Sequence, residues 1–174
     1  KYSSLTQITP DNVKHLRTAW KVNTGDVSTG SGVGRAPGSH MGNTGAKVPA
    51  TVWSATPLFV NDTVYLGTPF YRIFALEPDT GKVKWTYDTK AVLKALTQPD
   101  LKHRGVAYWQ ADKLVPGVAC QKRIYIGTMD AKLHSVDADT GQACADFGVS
   151  GVLDINQWNK ENAKWPLSLL QPPT

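Results

Sequence analysis

Short β-forming runs separated by polar turns recur along the chain. Val64–Gly67 and Arg72–Leu76 are rich in β-formers, and Lys82–Tyr87 places its large side chains alternately on one face. An earlier run, Leu58–Val60, ends at Asn61–Asp62, a pair that favours a tight turn. This pattern predicts a unit of four short antiparallel strands.

The unit is duplicated. Ile124–Cys144 follows Val64–Lys84 at an offset of 60 residues without a gap, and six of 21 positions are identical. Both copies contain Asp-Thr-Gly, a turn signal. A partial copy at the start, Trp20–Thr24, echoes Trp85–Thr89. Four-stranded units at a regular period predict an all-β fold, a β-propeller, to which this chain contributes two to three blades.

We place the two repeats at about residues 52–88 and 119–148, with an insertion at about 89–118, all within one propeller domain that spans 1–174. Ala91–Leu96 is predicted to form a helical turn, and Asp11–Leu16 a short capped helix. Because a propeller needs at least four blades to close, we expect the chain to be part of a longer polypeptide or of a cleaved assembly.

Composition excludes several classes of protein. The 174 residues are 41% hydrophobic, yet no stretch reaches the roughly 18 apolar residues of a membrane span, and the first ten lack a signal-peptide core. The formal charge of +5 is scattered among acids, which predicts a solvated surface and no nucleic-acid partner. The glycines at 30–34 have no phosphate-loop spacing and predict a loop, and the four histidines have no metal-like spacing.

Ala75–Trp85 resembles the tryptophan-docking motif of quinoprotein alcohol dehydrogenases, a structural motif that binds no ligand. The second copy departs from it at Ser135 and Ala145. Further segments are similar to the membrane-bound dehydrogenases that use pyrroloquinoline quinone (PQQ), best to the glucose, quinate, shikimate and polyol group. These segments are Tyr2–Ser3, Leu5–Val13, Ala19–Trp20, Thr24–Asp26, Arg104–Val106, Asp137–Gly141 and Cys144.

The resemblance implies an eight-bladed propeller that holds PQQ near its axis beside Ca²⁺ or Mg²⁺. It also implies electron transfer to ubiquinone, a location on the periplasmic side of the bacterial inner membrane, and membrane attachment through a region outside this chain. The catalytic Asp and the metal ligands of the family lie downstream, so neither a catalytic residue nor a metal ligand is expected in this segment. The rest of the propeller is the expected partner.

Two residues of this chain match positions that contact PQQ in the family. Arg104 matches an arginine placed against the PQQ oxygens, and a guanidinium suits a planar quinone flanked by carboxylates. Thr128 matches a threonine whose hydroxyl bonds a PQQ carboxylate, but its repeat mate Thr68 leaves open that both residues close a turn.

The chain departs from the family at the cover of the quinone ring. Where relatives have a vicinal disulfide or a histidine, this chain has Gln98-Pro99 and Asp100, and His103 stands beside Arg104. Pro99, Asp100 and His103 are each candidates for the cover, with an exposed loop as the alternative. Ser54 occupies the position of a PQQ-contacting Glu, which a serine hydroxyl can partly replace.

Cys120 and Cys144 flank the strands of one predicted blade. In the oxidising compartment that the resemblance implies they predict a structural disulfide, with two buried thiols or a metal site as alternatives.

The resemblance implies a PQQ-dependent dehydrogenase of a polyol or cyclic alcohol, with a quinate/shikimate-like or polyol-like substrate preferred to glucose. The alternative is a non-catalytic propeller scaffold or binding module, which would need the docking motifs but not the Arg104 segment.

Overall fold

The computed structural model describes residues 5–29, 50–91, 100–158, 169 and 171–173. Within these ranges the regular secondary structure is almost entirely β-strand, as the sequence predicts. The segment Ala91–Leu96 lies outside the described residues except for its first position, and so do the loop at 30–34 and Pro99. None of the helices in the described part of the chain is long and apolar enough to span a bilayer.

In the described ranges, ten short strands form three sheets. The first four-stranded sheet has the order β2-β3-β4-β5, the second has the order β7-β8-β9-β10, and β1 pairs with β6 in parallel. The strands are β1 Ala50–Trp53, β2 Leu58–Val60, β3 Thr63–Gly67, β4 Arg72–Leu76, β5 Val83–Asp88, β6 Asp100–His103, β7 Ala107–Gln110, β8 Lys122–Gly127, β9 Lys132–Asp137 and β10 Val152–Asp154.

The two four-stranded sheets are antiparallel meanders, which confirms the blade-like units. In the first sheet Asn61 and Asp62 form the tight β2–β3 turn, both with positive φ (47° and 52°), as a hairpin with this twist requires. In the second sheet the connection from β7 to β8 runs over residues 111–121. The strand β7 lies inside the segment that the sequence assigns to an insertion, and β10 follows the stretch assigned to the second repeat.

The near-N-terminal helix is shorter than predicted. It is a single 3-10 turn, Val13–His15, without a side-chain cap, because the Asn12 side chain instead accepts the backbone N–H of Thr9 at 2.8 Å. A second 3-10 turn, Ile155–Trp158, follows β10.

The core lies between the two four-stranded sheets. Apolar residues of β3 and β4 meet those of β8 and β9, and Val106 joins them from the connection between β6 and β7. The buried cluster consists of Tyr65, Ile73, Ala75, Val106, Ile124, Ile126, Val136 and Ala138.

Two tryptophans fasten successive units together. The indole N–H of Trp85 donates to the Ala138 carbonyl at 3.1 Å, and the indole N–H of Trp20 donates to the Pro78 carbonyl at 2.7 Å. Pro78 and Ala138 are repeat mates, so the same docking occurs twice, and the resemblance at Trp20–Thr24 corresponds to a shared contact.

A buried ion pair ties the N-terminal segment to the first sheet. The guanidinium of Arg72 donates to Asp26 from Nε at 2.9 Å and from a terminal nitrogen at 2.5 Å, and also to the Thr24 carbonyl at 2.7 Å. The Asp26 residue is fully buried and Arg72 is 7% exposed. This pairing fixes the segment after Trp20 against the start of β4.

Candidate functional site

Ser54 and Arg104 stand at the same end of the parallel pair β1–β6. Trp53 pairs with His103 in register, so Ser54 and Arg104 are the next residues of the two strands. The Thr56 N–H donates to the Arg104 carbonyl at 3.3 Å and keeps the two chains adjacent beyond the strands. Parallel pairing at about 4.8 Å thus brings together two residues that are 50 positions apart in sequence.

Both side chains are available to a ligand. Ser54 and Arg104 are exposed, and within the described ranges neither the Ser54 hydroxyl nor the Arg104 guanidinium has a hydrogen-bond partner. Each side chain suits an anion, because a guanidinium can donate to both oxygens of a carboxylate and a hydroxyl can add one further donor.

His103 lies beneath this end of the pair rather than on its surface. Its ring is fully buried, and a Cβ built on Gly67 would fall 2.6 Å from Nδ1, so the ring occupies the space that the glycine leaves. The Tyr71 ring packs edge-on against it at 5.8 Å between centroids. Burial lowers the pKa of His103 to about 4, an effect partly opposed by the backbone of Gly127.

Asp100 lies at the other end of the short pair. It opens β6 opposite Ala50 in β1, four residues before Arg104. At about 3.3 Å per residue its backbone is about 13 Å from that of Arg104. The pair therefore brings Ser54, His103 and Arg104 to one end and leaves Asp100 at the other.

The Thr128 hydroxyl is engaged in its own turn. Thr128 is fully buried after β8, and its Oγ1 donates to the Asp130 carboxylate at 2.5 Å and accepts the Lys132 N–H at 3.2 Å. Thr68 accepts the corresponding backbone N–H at the end of β3, that of Arg72, at 3.2 Å. The matching geometry favours the turn-closing alternative for both threonines.

Two carboxylates of the second sheet, those of Asp130 and Asp137, accept hydrogen bonds within their own turns. Hydrogen bonds from Thr128 and Lys132 lower the pKa of Asp130 against the opposing effect of burial. Asp137 accepts the backbone N–H of Cys120 and the hydroxyl of Thr140, and these hydrogen bonds likewise lower its pKa although burial acts the other way. A carboxylate whose charged form is stabilised in this way is a poor general base.

Cys120 and Cys144 form a disulfide, with a Cα–Cα distance of 5.8 Å. The one cluster of possible metal ligands among the described residues consists of these two cysteines and Asp146. Its sulfurs are bonded to each other, and Asp146 is paired with Arg123 at 2.5 Å. The cluster is therefore a cross-link and not a metal site, because zinc and similar ions bind thiolates.

Sequence reasoning missed two features of this region. The buried position of His103 depends on a glycine 36 residues earlier, and the pairing of β1 with β6 joins distant segments without a clear alternating pattern. The sequence contained one indication that a side chain packs at this place, because Gly67 and Gly127 are identical residues at equivalent positions of the two repeats. A Cβ on Gly127 would likewise meet Leu169, at 2.5 Å from its Cβ. Each glycine thus receives a side chain from the connection that follows its sheet.

Comparison with known proteins supports a single family. The family model for the PQQ glucose/ethanol/alcohol dehydrogenase β-propeller domain matches residues 1–174. The quinate/shikimate dehydrogenase (quinone) of Acinetobacter baylyi is 33% identical over 181 residues, covering 95% of this chain and 20% of that protein. The quinoprotein glucose dehydrogenase of Escherichia coli is 35% identical over 162 residues, covering 89% and 18%.

A solved structure of a related dehydrogenase has a similar fold over most of this chain. A europium-containing methanol dehydrogenase superposes with a TM-score of 0.57 at 25% identity, covering 80% of this chain and 19% of that one. The chain spans about a fifth of the length of these relatives. The duplicated four-stranded units, the repeated tryptophan docking and the match along the whole sequence lead to one conclusion: the chain belongs to the PQQ-dependent glucose/ethanol/alcohol dehydrogenase family, as part of its β-propeller domain.

Proposed function

We propose that the protein containing this chain is a PQQ-dependent dehydrogenase and that Arg104 and Ser54 contribute to its cofactor site. The observation that carries the proposal is the placement of these two exposed donors at adjacent strand ends, in a chain that matches the family along its length. A scaffold needs the docking tryptophans, but it has no use for an exposed arginine whose main chain is held between two units.

The residues present suit the cofactor. PQQ is a planar ortho-quinone that carries carboxylates, and the end of the β1–β6 pair has two exposed side chains that can donate hydrogen bonds, one of them cationic. Arg104 would donate hydrogen bonds from its guanidinium N–H groups to quinone or carboxylate oxygens, and Ser54 would donate one further hydrogen bond. When bound, the quinone supplies the hydride acceptor for alcohol oxidation.

The remaining roles belong to other parts of the protein. Asp26, Asp130 and Asp137 are held in an ion pair or in turns, so the base that removes the hydroxyl proton and the ligands of Ca²⁺ or Mg²⁺ are proposed to lie outside this chain. Thr128 is proposed to close its turn. Asp100 stays a candidate for the cover of the quinone ring.

We propose that the substrate is a polyol or cyclic alcohol, and that a quinate/shikimate-like or polyol-like compound is preferred to glucose. Support comes from the names of relatives that cover nearly the whole chain, among which are a quinate/shikimate dehydrogenase and a glycerol dehydrogenase large subunit. Ubiquinone as the electron acceptor and the periplasmic side of the inner membrane as the location are proposed on the same family grounds.

The test is reconstitution of the full-length protein. Dye-linked oxidation of quinate, glycerol and glucose is measured with PQQ, with Ca²⁺, with both and with neither. The proposal expects oxidation only when both are added, fastest with quinate or glycerol. A folded full-length protein that binds no PQQ would contradict the proposal and favour the scaffold alternative, whereas a preference for glucose would overturn only the assignment of the substrate.

A further inference from the structure

Two hydrogen bonds hold the peptide group that directly follows the Arg104 side chain. The Arg104 carbonyl accepts the Thr56 N–H at 3.3 Å, and the next N–H, that of Gly105, donates to Nδ1 of His103 at 3.2 Å. Gly105 has φ of 133°, and a Cβ there would lie 3.1 Å from the Thr56 carbonyl oxygen. The turn therefore requires glycine and leaves the backbone of Arg104 little freedom.

The imidazole that makes this contact is itself fixed. His103 is fully buried between the ends of two sheets, with Gly67 and Val106 on one side and the edge of Tyr71 on another. The Tyr71 hydroxyl donates to the Lys102 carbonyl at 3.3 Å and anchors the strand from which His103 projects. A packed ring of this kind is a rigid acceptor, unlike a side chain in a solvent-exposed loop.

We propose that His103 is a positioning residue for Arg104: its Nδ1 holds the Gly105 N–H, fixes the turn and so presents the Arg104 guanidinium to the cofactor. This inference rests on the proposed function, since the value of a fixed guanidinium depends on PQQ binding. It also changes the role expected for His103, from a cover of the quinone ring to a support beneath the residue that contacts the cofactor.

The protonation state of His103 agrees with this role. To accept a hydrogen bond, Nδ1 must be unprotonated, and burial lowers the pKa of the ring to about 4, so the ring is neutral at pH 7. The proton then resides on Nε2. Within the described residues Nε2 has no hydrogen-bond partner, and Nδ1 is the ring atom that accepts the Gly105 N–H.

The test uses variants of the full-length protein in which the side chain at position 103 has its hydrogen-bond acceptor in different places or has none. His103→Asn places an amide oxygen near the position of Nδ1, His103→Gln places its amide near Nε2, and His103→Leu removes the acceptor. The matched control is His134→Leu. His134 is 3% exposed, also has an unpartnered Nε2, and contacts the Tyr87 hydroxyl at 3.0 Å rather than the Arg104 turn.

Two readouts separate positioning from stability: the Kd of PQQ from quenching of tryptophan fluorescence, and amide hydrogen exchange at Gly105 without PQQ. The inference expects His103→Leu and His103→Gln to raise the Kd about tenfold and to speed exchange at Gly105. His103→Asn should stay within about threefold of wild type, and His134→Leu should change neither readout.

Equal PQQ affinity in wild type, His103→Gln and His103→Asn would overturn the inference while leaving the proposed function intact. If His103→Leu does not fold, the Asn and Gln pair decides the question alone. A wild-type protein that binds no PQQ would instead overturn the proposed function, and with it the role of His103.

Discussion

Trp85 lies directly over Gly141, so that a Cβ on the glycine would fall 2.6 Å from ring atom Cδ2. The indole N–H donates to the Ala138 carbonyl at the same place. Trp20 repeats the relationship on Gly81, with a distance of 2.5 Å to ring atom Cε3. The glycine of each Asp-Thr-Gly turn therefore does more than form a turn: it gives the tryptophan of the preceding unit access to the backbone.

This contact predicts a strong effect of Gly141→Ala. The residue has φ of 73°, and the added methyl meets the rigid indole, so we expect the free energy of unfolding to fall by about 2–4 kcal/mol. Gly117→Ala is the matched control, with φ of 78° and nothing within 4 Å, and should cost only about 1 kcal/mol. Urea unfolding of the full-length protein measures both, and equal losses would contradict the docking role.

The buried pair Asp26–Arg72 predicts a large cost when one partner is removed. Asp26→Asn removes the buried negative charge that Arg72 contacts through two guanidinium nitrogens, and should lower the free energy of unfolding by about 3–5 kcal/mol. The exposed pair Lys82–Glu77, at 3.8 Å, provides the contrast, since Lys82→Gln should cost less than about 1 kcal/mol. A small loss for both variants would show that the buried pair is not a fastening point.

The buried histidines predict that the protein loses stability in mild acid. The pKa of His103 and of His134 is lowered from 6.5 to about 4, mainly by burial. Between pH 6.5 and about pH 4 the unfolded chain binds protons at these histidines and the folded chain does not. The free energy of unfolding therefore decreases as the pH is lowered, by up to about 3 kcal/mol per histidine.

Asp130 and Asp137 affect stability only at lower pH. Their pKa values are lowered in the fold, so their stabilising contribution is lost as the pH falls below the pKa of an ordinary aspartate.

The effect of the histidines is tested by the urea midpoints of wild type and His134→Leu at pH 7.5 and pH 4.5. The variant should lose distinctly less stability than wild type between the two values. An identical loss in both proteins would mean that His134 does not stay neutral in the fold.

The disulfide predicts a loss of stability on reduction. Cys120 and Cys144 are 24 residues apart, and closing a loop of that size in the unfolded chain contributes about 3 kcal/mol. Unfolding is compared with and without a phosphine reductant, with the double variant Cys120→Ala and Cys144→Ala as a second route. If thiol labelling shows that the disulfide is reduced and the free energy of unfolding is nevertheless unchanged, the stabilising role of the disulfide is contradicted.

Local patterns of the sequence were enough to predict the repeated units. The runs Leu58–Val60, Arg72–Leu76 and Lys82–Tyr87 lie within one residue of observed strands, because alternation and turn residues act over a few positions. The strand β10 was not foreseen. In the second unit Ala145 stands where the first has Trp85, and the chain there forms only an isolated bridge at Ala143 before the disulfide-linked turn.

The site was predicted only as far as the family motif reaches. Arg104 and Ser54 were identified as separate candidates, but their proximity results from parallel pairing of β1 with β6, a long-range contact that local patterns do not specify. His103 was predicted to be a candidate for the cover of the quinone ring, with an exposed loop as the alternative. Its burial depends on Gly67, which a sequence pattern alone does not connect with it.

The most direct test of the account is the PQQ affinity of Arg104→Met in the full-length protein. Loss of a charge-assisted contact should raise the Kd about tenfold or more, while thermal stability stays close to that of wild type because Arg104 is exposed. Arg17→Met, which removes another exposed arginine far from the β1–β6 pair in sequence, should bind PQQ as wild type does. Wild-type affinity in Arg104→Met would contradict the central claim that this end of the pair binds the cofactor.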